Sequence, residues 1–238
     1  MRLHIDQAPR ALHRADVQVH LLDVSVSSDL SGLAIGLAVG RGVSIGPSSA
    51  AEEAALAAEL SRTKARQDLE ARTKEVRDLL RFGAYKPTGR GKPASEYLLA
   101  AAREDRFPKI HNLVDALNRI SLHALLPISV LDLDRAQSQA FSIRRGRPGE
   151  SYVFNTGGQS IDLGDLLLVS ILPEDRATAN AVKDSMATKL EPGSTNVLAV
   201  VYAPLGRGAE AGEAAAALAQ AFREEGGAKQ ASHAVLTV

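Results

Sequence analysis

Apolar residues alternate with polar ones over 17–26, with Val17, Val19, Leu21, Val24 and Val26 on one face, and this period of two predicts a strand. Leu33–Val39 predicts a second strand. Ser49-Ala50-Ala51-Glu52 spells a capping box, and a charged helical run follows until Gly83 supplies a stop. Leu69, Thr73, Val76 and Leu80 give that run only a thin apolar stripe, which predicts packing on the surface of the core. Pro87, Gly89, Gly91 and Pro93 forbid regular structure over 84–93. Ser95–Arg103 is expected to be helical, and Asn112 to cap a helix whose Leu113, Leu117, Ile120 and Ala124 keep helical spacing until Pro127. Short strands are expected after that, over Ser129–Asp134, Phe141–Arg145, Ser151–Phe154, Asp165–Leu172 and Asn196–Ala203. An alanine-rich helix over Glu213–Glu224 and a strand over Ala234–Val238 complete the pattern. Helices early and strands late predict an α+β fold with a mixed or antiparallel sheet in its second half. No internal repeat or linker divides the chain, so residues 1–238 are expected to form a single domain.

Composition narrows the function classes. The 238 residues are 45% hydrophobic and 24% charged, which excludes a disordered chain. There is no cysteine, hence no disulfide, thiolate metal site or cysteine nucleophile, and a reducing, cytoplasmic location is expected. The longest apolar stretch, Leu30–Gly40, is about 11 residues, too short to span a bilayer. The first residues show no signal-peptide layout, so no membrane partner is expected. Net charge is zero, yet Arg81–Arg147 holds twelve Lys and Arg against six Asp and Glu. Such a surplus suits either a phosphate-facing surface or a solvated mixed-charge one.

Familiar motifs fail on inspection. Gly40-Arg41-Gly42 with Gly46 has the wrong spacing for a dinucleotide loop and reads as a tight turn between strands. Gly91-Lys92 is followed by Pro93, which lacks the N–H that a phosphate cradle uses. Ser61-Arg62-Thr63-Lys64 sits in a charged helix without partner motifs. The six histidines show no metal spacing, with His111 and His123 twelve residues apart. Neither a metal nor a nucleotide cofactor is expected.

A polar constellation remains. Asp115, Asn118 and Arg119 are neighbours on one helix, with Asn112 a turn earlier. Asp132 and Asp134 end a strand, and Lys183-Asp184-Ser185 with Thr188-Lys189 form a polar loop. Together they suit a small polar pocket, or else Asp115 and Asn118 simply brace loops. Arg81-Phe82, Tyr85-Lys86, Arg90, Lys92, Phe107 and Lys109 interleave rings and cations. That mixture suits an unpaired RNA end, or a loop anchored by its own aromatics.

Several segments resemble the B3/B4 domain, the editing module of the phenylalanyl-tRNA synthetase β-subunit that also occurs in free-standing proteins. They are Phe82-Gly83-Ala84-Tyr85-Lys86-Pro87-Thr88, then 107–118, then Leu126-Pro127 through Leu131-Asp132-Leu133-Asp134. Val114-Asp115-Ala116-Leu117-Asn118 resembles that family's Val-Asp-x-x-Asn helix, and 126–132 its Gln-Pro-Leu-His-Ala-Phe-Asp segment. Asp165–Ser170 resembles a strand ending in Asp, and Asn196-Val197-Leu198-Ala199 an Asn-x-x-Leu strand. The likeness covers residues 80–205 and stands in the right order, while 1–75 match only in general layout. It implies a protein that binds tRNA and hydrolyses a mischarged aminoacyl ester in trans, not a complete synthetase. Its partner would be tRNA or the aminoacyl-tRNA 3′ end. Such editing supplies discrimination that a synthetic pocket lacks, because an extra hydroxyl is rejected only about 10²-fold.

On this resemblance Asn112, Asp115, Asn118, Ser129 and Asp132 would form the substrate pocket, with a carboxylate holding the α-ammonium. Lys183, Asp184, Ser185 and Thr188 are the catalytic candidates, and Lys183, Ser185 or Thr188 would face the ester or terminal ribose. Lys86, Arg90, Lys92 and Lys109 would hold RNA. Ser129 stands where the β-subunit has its histidine, which favours an alternative: a non-catalytic module binding tRNA or an amino acid.

Overall fold

In chain order the computed structural model, which describes residues 2–4 and 22–238, begins with β1 (Arg2–His4), β2 (Asp23–Val26) and β3 (Leu33–Arg41). Four helices follow: α1 (Ala50–Ala65), α2 (Leu69–Leu80), α3 (Ala94–Arg103) and α4 (Asn112–Ala124). Then come β4 (Ile128–Asp132), the short α5 (Leu133–Ala136), β5 (Ala140–Arg145), β6 (Ser151–Val153) and β7 (Ser160–Asp162). The chain continues through β8 (Leu167–Ile171), β9 (Arg176–Asn180), β10 (Asn196–Pro204), α6 (Gly208–Glu224) and β11 (Gln230–Thr237). The fold is α+β, with most helices in the first half.

Two sheets carry the core. One runs β11-β3-β10-β4 with every pair antiparallel, and the other β1-β2-β5-β8-β9 with only β2 and β5 parallel. A small β6-β7 hairpin stands apart. β3 and β10 are buried along nearly their whole length, so they read as continuous apolar runs rather than alternating ones. α6 lies along β3, β10 and β11. The close approach needs glycine: a Cβ on Gly36 would come within 2.5 Å of the Ala211 carbonyl, and one on Gly40 within 3.0 Å of Phe222. Among the described residues, no helix is long and apolar enough to cross a membrane.

Several expectations need correction. Only Asp23–Val26 of the first expected strand is described as a strand, and 17–21 lie outside the described residues. Ser49 Oγ does cap α1, accepting the Glu52 amide at 3.1 Å. The charged run beyond it is two helices, because Asp68 gathers Arg66 at 2.9 Å and Arg72 at 2.5 Å at the break. These hydrogen bonds hold the Asp68 carboxyl well below its ordinary value. His111, not Asn112, caps α4: its ring Nδ1 accepts the Val114 amide at 3.4 Å. β4 stops at Asp132, whose Oδ1 accepts the amides of Asp134 and Arg135 and starts α5 instead. β3 continues through Gly40 and Arg41, and Gly42, at φ +69°, opens the loop to α1 rather than a turn between strands. Asp165 precedes its strand in a left-handed conformation, and β7 and β9 appear where no strand was expected.

Candidate functional site

β4 and β9 meet where the two sheets abut, and that junction shapes a cleft. Ser129, fully buried on β4, donates its hydroxyl to the Asn180 carbonyl at 2.8 Å and lies 3.2 Å from the Tyr202 hydroxyl. Asn180 ends β9 and turns the chain: its Oδ1 accepts the amides of Val182 at 2.7 Å and Lys183 at 2.9 Å. This is an Asx turn, in which a side-chain carbonyl organises the next backbone amides. The Asn180 Nδ2 donates to the Tyr152 hydroxyl, which donates in turn to the Lys183 carbonyl at 2.6 Å. The turn therefore presents Lys183 and Asp184 in a fixed direction.

Two connected hollows lie beside it. An inner cavity of 430 Å³ has walls of Val114, Leu117, Ile128, Val130 and Leu190, with Asn118, Asn180, Lys183, Asp184 and His111 as polar lining. An outer groove of 1030 Å³ runs between the 85–91 loop, α3 and the β6-β7 hairpin, lined by Tyr85, Lys86, Arg90, Tyr97 and Gln159. Asn118, Ile128, Phe154, Val182 and Lys183 belong to both, so the two form one cleft. An apolar recess with a few polar groups is the usual form of a small-molecule site.

The electrostatics differ along the cleft. Lys183 Nζ lies 4.0 Å from the centre of the Phe154 ring, a cation–π contact at the junction. Burial, reinforced by the Arg90 guanidinium, lowers the Lys183 pKa below the ordinary lysine value. Asp184 turns its carboxylate inward: Oδ2 accepts the Val130 amide at 3.1 Å, and Oδ1 is buried without a hydrogen-bond partner among the described residues. Burial pushes its pKa up to about 6, against the opposing pull of the Ser129 hydroxyl and the Val130 and Asn180 amides. Burial also lowers the His111 pKa, despite the neighbouring Asp115 charge. Because Nδ1 of that ring accepts the Val114 amide, the neutral ring carries its proton on Nε2 and can act there only as a donor.

The sequence-derived candidates separate into two groups. Asn118, Lys183 and Asp184 line the cavity, with Lys86 and Arg90 in the groove. The Asn118 side chain, although buried, makes no hydrogen bond among the described residues, so its amide is available to the cleft. The others are consumed by the fold. Asp115 accepts the Ile110 amide and the Ser48 hydroxyl, each at 2.7 Å. Its expected neighbour Arg119 instead pairs with Glu52, at 2.6 and 2.8 Å. Asn112 is saturated by Gly46, Ser44 and Glu225, and Asp132 Oδ2 accepts the Ser194 hydroxyl at 2.5 Å.

Ser185 Oγ accepts the Ala187 amide, and Thr188 Oγ1 lies 2.5 Å from the Thr178 hydroxyl. Ser185 faces a separate depression beside Tyr152 and Ala177, so the expected convergence of the whole 183–188 loop does not occur. Ser129 is sealed in the β4–β9 junction. Lys109 pairs with Glu53 at 3.1 Å, and Lys92 faces a different cleft between α2 and α3. Sequence reasoning missed Asn180, Tyr152 and Phe154. Only Asn180 carried a legible signal, an Asn two and three residues ahead of the amides it holds.

Among the described residues, no group of three or more His, Asp and Glu side chains is placed to hold a metal ion. No family model matches the chain, and no curated protein matches it.

Proposed function

We propose that the cleft binds the aminoacyl 3′ end of a tRNA and promotes hydrolysis of its ester, as the resemblance to B3/B4 domains implies. The supporting observation is Asn118: a largely buried residue whose side-chain amide makes no hydrogen bond among the described residues and reaches the wall that cavity and groove share with Lys183. In this reading the amino-acid side chain occupies the inner cavity, where the walls are mainly apolar. The terminal nucleotide lies in the groove, its base against Tyr85 or Tyr97 and its phosphates toward Lys86 and Arg90. The ester carbonyl then falls at the junction, where the Asn118 amide and the Lys183 ammonium can stabilise developing negative charge. An aminoacyl ester is intrinsically labile, so positioning it beside a water supplies much of what hydrolysis needs. Asp184 contributes negative potential at the inner end, suited to an α-ammonium.

A second reading, a binding module without catalysis, has its own support. Apart from the Lys183 amine, the groups that could act as a base are engaged: the Ser129 hydroxyl is bonded, His111 Nδ1 is occupied, and both Asp184 oxygens are buried or bonded. Deacylation of a panel of mischarged tRNAs by the purified protein, beside a control without protein, separates the two. Ester release above the control that is lost in Asn118→Ala supports the hydrolase. Tight binding without release leaves the module, and neither binding nor release overturns both.

A further inference from the structure

A second cationic hollow, distinct from the cleft just described, lies between α2 and α3. It encloses 570 Å³ over an apolar floor of Leu69, Leu99 and Ala100. Five cations and three carboxylates line it, and they are not equivalent. Lys74 is paired with Asp78 at 2.6 Å, and Arg77 with Glu96, so these four cancel locally. Arg81, Lys92 and Arg103 have no ion pair among the described residues; the Asp78 carboxylate feels the Arg81 charge at longer range, and Glu70 is the lining carboxylate outside the two pairs.

Many arginines elsewhere on the surface are paired. Arg62 pairs with Glu59, Arg66 and Arg72 with Asp68, Arg119 with Glu52, and Arg144 with Glu150 and Asp175. Among the described residues most arginines have a carboxylate partner, yet three cations without an ion pair gather around this one hollow. They come from separate places: Arg81 at the end of α2, Lys92 just before α3, and Arg103 at the last turn of α3. Like charges gathered without counter-charge repel one another, and an anionic ligand with spaced charges relieves that repulsion.

The position identifies the ligand class. Lys92 directly follows Gly91 and Arg90, which line the outer groove, so the 86–92 loop is the ridge between groove and hollow. A polyanion lying across this ridge meets Lys86 and Arg90 on one side and Arg81, Lys92 and Arg103 on the other. We propose that the α2–α3 hollow holds the sugar-phosphate backbone of an RNA stem whose 3′ end enters the groove; the placement of that end rests on the functional reading above. Duplex RNA is recognised largely through shape and backbone, which matches a hollow that offers cations and few hydrogen-bonding side chains aimed at bases. Stem contact and end contact are then separate contributions to one binding event.

The test uses two RNA hairpins with the same stem, one blunt and one with a single-stranded 3′ extension, titrated against the full chain over a salt series. The comparison variant is Arg81→Ala, Lys92→Ala and Arg103→Ala combined; circular dichroism checks its fold, and Arg103→Glu, at an exposed position, gives a single-site control. The triple variant is expected to bind the blunt hairpin at least about tenfold more weakly. The slope of log affinity against log salt should flatten by roughly 0.7–0.9 for each phosphate that no longer meets a cation. Arg103→Glu should shift both RNAs in the same direction. Unchanged affinity and slope for the blunt hairpin overturn the proposal, as does failure of the wild-type chain to bind either hairpin or a preference for anionic vesicles over both. If the blunt hairpin responds as expected while no mischarged tRNA is deacylated or preferred, the ester-site reading fails and the stem contact stands.

Discussion

The carboxylate of Asp184 accepts the Val130 amide across 54 positions of sequence, so one side chain both closes the free edge of β4 and forms the inner wall of the cleft. An edge strand with an unpaired amide is exposed to wrong pairing, and a carboxylate on that amide blocks it. The same enclosure leaves Oδ1 without a hydrogen-bond partner among the described residues. Structure and binding potential therefore meet in one buried group.

The pH dependence of stability follows from that burial. Folding raises the Asp184 pKa from 3.8 to about 6, so the folded state holds the proton more tightly than the unfolded one. Its contribution to stability is complete below the unfolded value and is lost as pH rises through the folded value. Asp184→Asn keeps an oxygen for the Val130 amide but cannot ionise. Urea unfolding midpoints of both proteins between pH 4 and pH 7 should show the wild type losing stability relative to the variant over roughly pH 4–6. Parallel curves across that range would show that Asp184 titrates normally.

Asp115 tests whether a sequence candidate serves structure or chemistry. Its two oxygens hold the Ile110 amide and the Ser48 hydroxyl, joining the segment before α4 to the loop before α1. Hydrogen bonds to a charged group contribute about 1.5–3 kcal/mol each, so losing both in Asp115→Ala should destabilise the fold by about 3–6 kcal/mol. Denaturant titration measures this. A change within about 0.5 kcal/mol, the range of ordinary surface substitutions, would contradict the bracing role.

Much of the fold was legible because apolar spacing reports burial directly. β3, α3, α4, β5 and β10 lie close to where the pattern placed them, and Ser49 caps the helix it was expected to cap. The site was legible only in part. Asp115 and Asn118 lie one turn apart on α4, yet a three-residue step also rotates the side chain by about 60° around the helix. That rotation turns Asp115 toward Ile110 and Ser48, and Asn118 toward the cleft. Spacing alone cannot say which of two neighbours the surrounding loops will occupy. The 183–188 loop shows the same limit, because the Asn180 turn sends Lys183 and Asp184 to the cleft and Ser185 elsewhere. β7 and β9 went unseen because they are short: both ends of β7 are exposed, and β9 mixes small and polar residues.

Groove cations should influence RNA ends more than stems. Lys86 and Arg90 are exposed and carry no ion pair among the described residues, so replacing both with alanine should leave the fold intact. Affinity for an RNA with a single-stranded 3′ end should fall, with the salt slope reduced by roughly 1.4–1.8 when two phosphates go without their cations. A blunt hairpin should respond less. Equal losses for the two RNAs would place these cations on the stem instead.

Asn118 offers the sharpest contrast with Asp115, because the two share a helix and differ in what occupies them. The Asn118 amide supports no backbone group and no other side chain among the described residues, so Asn118→Ala removes no internal hydrogen bond. Its cost to stability should be that of a small truncation beside an existing cavity, about 1 kcal/mol or less. Its effect on ligand should be larger. If the amide donates to the ester carbonyl as charge develops, its loss should lower the deacylation rate by about 10²-fold or more, with little change in binding, because an interaction made mainly in the transition state appears in the rate. In a binding module the same substitution should weaken affinity for the aminoacyl end and leave no rate to lose. Single-turnover deacylation and equilibrium binding, measured on the same variant, distinguish these outcomes. A variant that unfolds as readily as Asp115→Ala, with binding and rate untouched, would mean that Asn118 serves the fold and not the cleft.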